Sequence, residues 1–178
     1  MILGVDPGTI VTGYGIVAVR AGVPELIGLG EIRPVTGIPP EAKLRHLFEA
    51  ITTVIETFRP SGFAIESAFY GKNAQSTLKL GQARGALMLA AAVGDIPVFE
   101  YSPREIKKSI TGNGGGAKEQ VRFMVRELLH LHEGAIPLDT SDAIATALCH
   151  INRLGQRARR PATDWKTFAK INPERIVR

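Results

Sequence analysis

Asp6 stands directly after the apolar run Ile2-Leu3-Gly4-Val5 and directly before Pro7-Gly8, a turn that ends an extended segment and can leave the carboxylate at its tip. Glu66 holds the same place after Phe63-Ala64-Ile65. Two acids that each follow a short apolar core are hard to explain as packing, since an unpaired buried charge costs on the order of several kcal/mol. A lone Asp at a turn is commonly just a turn residue, so the repetition carries the signal. Asp139 and Asp142 lie three apart in LDTSDAIATALCH, just after Pro137, a spacing that puts both on nearly one face of a helix. Taken alone, that pair reads as first-turn acids, worth about 0.3 to 1 kcal/mol against the helix dipole, or as caps. Four acids at the ends of three separate elements, however, make an oxygen-rich cluster suited to hard cations such as Mg²⁺ or Mn²⁺. Mutual repulsion would raise their pKa values, and a bound cation relieves it. Two such ions about 4 Å apart could activate water and stabilise the leaving 3′ oxygen of a phosphodiester.

The elements that must position these acids follow from the hydrophobic pattern. Strands are expected at Ile2–Val5, Gly13–Val19 and Leu26–Ile32, the last two joined by Ala21-Gly22-Val23-Pro24, so that three neighbours run antiparallel. Leu44, Leu47, Phe48, Ile51, Val54, Ile55 and Phe58 recur at helical spacing from Pro40 to Phe58, and Pro60 ends the run. Phe63–Ile65 returns to strand through that helix, as a parallel pairing requires. Further helices are expected at Ala74–Val93, Ile106–Ile110, Lys118–Leu131 and Ser141–Leu154, with a fifth strand at Pro97–Tyr101. The pattern describes an α/β domain, a mixed five-stranded sheet with helices on both faces.

Composition sets limits. At 178 residues, 44% hydrophobic and 22% charged, the chain is sized for one folded unit with a real core. No apolar run approaches the roughly 20 residues that span a bilayer, and the N-terminus lacks the pattern of a signal peptide, so a cytoplasmic location without membrane association is expected. Cys149, the single cysteine, excludes an intramolecular disulfide and reads as a small buried hydrophobe. Residues 156–178 hold seven Lys or Arg and two acids, a surplus equal to the whole +5 of the chain. We therefore expect a domain over 1–155 and a mobile basic tail over 156–178. Within the otherwise neutral domain, Arg104, Lys107, Lys108, Lys118, Arg122 and Arg126 form a basic stretch that attracts polyanions, unless it is simply a solvated helix face.

The run Gly112-Asn113-Gly114-Gly115-Gly116-Ala117-Lys118 looks like a phosphate loop, but Ala-Lys-Glu stands where a nucleotide-binding loop has Gly-Lys-Ser or Gly-Lys-Thr. It is either a linker or a loop whose amides and Lys118 meet a DNA phosphate at the next helix N-terminus. DPGT is also similar to the first phosphate loop of sugar kinases and actin-like ATPases, which need two such domains where this length has room for one.

Four blocks in order, GVDPGTIVTGYGIV, AIESAFYGKNAQSTLKLGQARGAL, SPREIKKSITGNGGGAKEQV and LDTSDAIATALCH, resemble the signature blocks of the RuvC family of crossover-junction endonucleases over residues 1 to about 155. The resemblance implies an RNase H-like fold, divalent metal, a homodimer, and paired nicks across a four-way DNA junction in recombination and repair. It also implies branch-migration partners, RuvA and RuvB. By position, Asp6, Glu66, Asp139 and Asp142 match metal-binding carboxylates, Lys107 and Lys118 match basic residues near the scissile phosphate, and Phe69 matches an aromatic that stacks on a junction base. Stacking is worth about 1 to 3 kcal/mol, and Phe69 begins a loop-like stretch ending Tyr70-Gly71-Lys72-Asn73; ordinary core packing is its alternative. Lys72, Arg104, Lys108 and Arg122 are the further candidate DNA contacts. Ser67-Ala68 departs from a commoner Gln-Val after the Glu, and the tail has no counterpart in the blocks. The strip Leu78, Gly81, Gly85, Leu89 and Ala92 suits close helix approach, and the resemblance implies a dimer contact there, with intramolecular packing as the alternative. Charge and carboxylates alone leave open a non-cleaving binder of branched DNA and an RNA-processing enzyme of the same fold.

Overall fold

β1, Ile2–Asp6, lies at the centre of a five-stranded sheet with two strands on either side, which is why its core is almost wholly apolar. In the computed structural model, residues 1–67, 73–132 and 136–159 are described, apart from the side chains of Leu138, Asp139 and residues 156–159. β2, Thr12–Arg20, and β3, Val23–Ile32, complete an antiparallel meander. The helix α1, Pro40–Phe58, carries the chain to β4, Gly62–Glu66, which pairs parallel with β1. Then α2, Ala74–Val93, leads to β5, Val98–Tyr101, parallel to β4. Three helices follow: α3, Pro103–Thr111, α4, Lys118–Leu128, and α5, Leu138–Arg159.

Successive strand side chains point to opposite faces, and the two faces have different covers. Ile2, Val17 and Ala64 pack with Ile106, Ile110, Val121, Val125, Ile144 and Leu148 from α3, α4 and α5. Leu3, Val5, Ile16, Phe63 and Ile65 pack with Leu47, Ile51 and Val54 of α1 and with Ala83, Leu87, Ala90 and Ala91 of α2. Cys149 is buried, and burial pushes its thiol up from the usual range.

The expected elements are all present, with shifted ends. The meander turns on Ala21-Gly22 alone, at φ 51° and 83°, a two-residue hairpin that leaves Val23 and Pro24 in β3. Proline is tolerated there because β3 is an edge strand. α3 starts at Pro103 rather than Ile106, because Ser102 and Glu105 form a reciprocal capping box. α4 stops at Leu128, ahead of the expected Leu131, and His130 follows at φ 52°. α5 begins at Leu138 and continues through Leu154 to Arg159. The tail beyond Arg159 lies outside the described residues.

Candidate active site

Asp6 and Glu66 are the last residues of adjacent parallel strands in the register Val5↔Ile65, so both acids leave the sheet at one end. Each continues the alternation of Ile2-Gly4 and Ala64, the face covered by α5. α5 crosses that face very closely. A Cβ at Gly4 would meet the Ala143 carbonyl at 2.1 Å, and one at Gly15 would meet the Ile144 side chain at 2.4 Å. These two glycines let the first turns of α5 settle onto β1 and β2, which brings Asp142 to Asp6 and Glu66. The backbone of Asp139 is in the first turn of α5; its side chain is outside the described set.

The turn after Asp6 is held from within. The Thr12 hydroxyl, fully buried, donates to the Gly8 carbonyl at 3.2 Å and accepts from the Gly8 amide at 3.3 Å. At the other strand, Arg84 of α2 donates its Nε–H to the Glu66 carbonyl at 3.2 Å and pairs with Glu100 of β5. Sequence reading did not find either residue. Thr12 carries no local signal, but a lone Arg within the small and apolar run of α2 was a usable one.

Asp6, Glu66 and Asp142 line one cleft of about 160 Å³ with Pro103, Ile106, Val121, Lys107 and Lys118. Burial, and then the charge of Asp142, raise the Glu66 carboxyl above its ordinary value, while Lys118 and Lys107 pull it back. Lys118 Nζ donates to Asp142 Oδ2 at 2.8 Å, and this bond raises the lysine above its usual range despite partial burial. The donor set is all oxygen, half-buried and self-repelling, which fits a hard divalent cation. Among the described residues no three acids are drawn into a single ligand shell.

The other candidates divide. α3 separates two grooves: Lys107 faces the carboxylate cleft, while Arg104 and Lys108 line a second, more open groove with Gly112, Asn113 and Gly114. The glycine-rich run is an ordered turn. Thr111 Oγ1 donates to the Asn113 carbonyl at 2.9 Å, and Asn113 Oδ1 accepts from Gly115 at 3.0 Å. Arg122 does not line either groove, and its Nε is buried without a hydrogen-bond partner among the described residues. Phe69 and Lys72 lie outside the described residues. On α2, Leu78 and Leu89 are 64% and 56% exposed, and Gly81 and Gly85 face open space, so that strip takes no part in the core of the chain.

The family model for "Crossover junction endodeoxyribonuclease RuvC" matches residues 2–150. The chain belongs to the RuvC family. A RuvC from Salinibacter ruber is 43% identical over 176 residues, covering 99% of this chain and 98% of the relative. One from Saccharophagus degradans is 48% identical over 153 residues, covering 85% and 87%. The first alignment runs into the basic tail, for which the sequence blocks offered no counterpart. The fold is that of RuvC, RNase H-like: the Thermus thermophilus protein, solved in complex with a Holliday junction substrate, superposes with TM-score 0.82 at 31% identity over 88% of this chain and 95% of that one. The yeast mitochondrial Holliday junction resolvase shares the fold at 16% identity and TM-score 0.66. As a RuvC family member the chain is an endodeoxyribonuclease, a hydrolase of DNA strands.

Proposed function

We propose that this chain resolves four-way DNA junctions by nicking two strands of like polarity, in recombination and repair, with Asp6, Glu66, Asp139 and Asp142 holding Mg²⁺ or Mn²⁺, two ions per site. The observation that carries this reading is the meeting of Asp6, Glu66 and Asp142, from three elements far apart in sequence, in one cleft with Lys107 and Lys118. The T. thermophilus relative bound to a Holliday junction supports the substrate.

When bound, the metal would supply Lewis acidity and an activated water for phosphodiester hydrolysis. The protein's own part is placement. The parallel strand ends fix Asp6 and Glu66 side by side, and α5 brings Asp142 over them. Lys107 and Lys118 put positive charge beside the cleft, where a scissile phosphate needs it. Arg104 and Lys108, in the second groove, and Arg122 serve as backbone contacts that hold register without reading sequence. Phe69 stacks on a junction base, and Lys72 is a further DNA contact.

Two copies paired through the exposed face of α2 would present two clefts related by a two-fold axis, the symmetry a four-way junction approximates. Leu78, Leu89 and Val93, with Gly81 and Gly85 between them, make that face apolar and close-packing. Domain 1–155 carries the chemistry, and the 156–178 tail adds general DNA affinity. A cytoplasmic location and partnership with RuvA and RuvB go with this reading. Among the described residues no helix is long and apolar enough to cross a membrane.

The test is a cleavage assay on a mobile four-way junction, a linear duplex and an RNA–DNA hybrid, with and without Mg²⁺. Paired, symmetric nicks in the junction alone, dependent on metal, are the expected result. Equal cutting of duplex or hybrid, or cutting in chelator, would refute it.

A further inference from the structure

Lys118 is the first residue of α4, reached from the glycine-rich turn through Ala117, which gives the helix no side-chain cap. One turn on, Val121 is buried and anchors the helix to the core. The lysine side chain itself is 70% exposed, yet its head is committed: Nζ sits 2.8 Å from Oδ2 of Asp142, whose side chain is only 20% exposed. The ammonium also lies in the field of Asp6 and Glu66. Lys107 lines the same cleft but makes no ion pair among the described residues. One of the two cleft lysines thus bonds a carboxylate of the cluster directly, and the other acts on Glu66 through its charge alone.

An aspartate oxygen that accepts a charge-assisted bond from an ammonium cannot give the same lone pair to a metal. The two cations therefore compete for Asp142 Oδ2 and repel one another across the carboxylate, so that whatever draws one away favours the other. We propose that Lys118 is an internal counter-ion of the carboxylate cluster, held by Asp142 until a divalent cation displaces it and frees its ammonium for a DNA phosphate. This rests on the metal reading of the cluster given above. The exchange needs no backbone movement, because Val121, not the lysine head, fixes α4. It also accounts for a lysine that would otherwise serve the substrate being turned toward a carboxylate.

The experiment is a calorimetric Mn²⁺ titration of the full-length protein without DNA, comparing wild type with Lys118→Met, Lys118→Gln and Lys107→Met. Removing an exposed ion pair that must be broken should tighten Mn²⁺ binding by about two- to fivefold in both Lys118 variants. Lys107→Met, which removes the same charge from the same cleft but no ion pair, should gain less. Lys118→Arg, which keeps the pair, should titrate like wild type. Unchanged or weaker binding in the Lys118 variants overturns the proposal, and so does an equal gain from Lys107→Met, since that is bulk repulsion. Absence of Mn²⁺ binding by the wild type would remove the metal reading, and this proposal with it.

Discussion

Arg84, midway along α2, donates its Nε–H to the main-chain carbonyl of Glu66 at 3.2 Å while its guanidinium pairs with Glu100 of β5. The helix whose outer face is apolar and exposed is therefore bonded directly to the strand end that carries a cleft carboxylate. A bond to the carbonyl fixes the peptide plane and with it the direction in which the Glu66 side chain leaves the strand. Groups that orient a metal ligand, the role proposed for Glu66, typically matter about 10- to 100-fold. Arg84→Met should lower the single-turnover cleavage rate by that order at saturating protein, with junction affinity little changed. A wild-type rate in a folded Arg84→Met protein would mean that the contact positions nothing.

Asp6 and Asp142 should each be indispensable for cutting and dispensable for binding. Asp6→Asn or Asp142→Asn keeps shape but removes a carboxylate charge, while the basic residues that attract DNA are untouched. Cleavage should fall by at least about 10²-fold, and gel-shift affinity for a junction should stay near wild type. Full cleavage by either variant would show that the cleft is not the catalytic centre.

Glu66 should make the metal-free protein less stable at neutral pH. Its carboxyl is raised on folding, first by burial and then by the charge of Asp142. A carboxyl so shifted opposes folding fully above its folded pKa and ceases to matter below its unfolded pKa, near roughly 4.3. Glu66→Gln should therefore raise Tm in chelator at pH 8, by about 2 to 4 °C for each kcal/mol relieved, and the gain should vanish as pH falls below that of the unfolded carboxyl. Thermal melts of both proteins across pH would show it; a gain that grows toward acid would contradict the assignment of cause.

Removing residues 160–178, beyond the end of α5 at Arg159, should leave the cleft working and weaken DNA binding without selectivity. Every carboxylate assigned to the site precedes that point, and residues 160–178 hold five Lys or Arg against two acids, most of the +5 surplus of the chain. Phosphate contacts from such a segment are non-specific, so junction and duplex affinities should fall by similar factors and the salt slope should flatten. Titrations at two salt concentrations would decide it, with loss of junction preference as the contrary outcome.

The sequence by itself determined the parts whose signal is local. α1 over Pro40–Phe58 and α2 over Ala74–Val93 were legible to the residue, because a helical stripe bounded by Pro60, Asn73 and Gly94 needs no distant partner to be read. The positions of Asp6 and Glu66 were legible too, since each ends an apolar strand core. Their meeting with Asp142 was expected from the repetition of acids at element ends and from the family resemblance, but how it is made was not legible. It depends on the parallel register of β1 with β4 and on α5 coming so close to the sheet that Gly4 and Gly15 have no room for a Cβ, and neither relation is encoded in any local spacing. Tertiary structure also chose between the lysines. Lys107 and Lys118 read alike as basic residues on neighbouring helices, but only the docking of α4 beside α5 sets Lys118 on Asp142, and a charge-assisted bond has a partner only where the chain folds back to supply one.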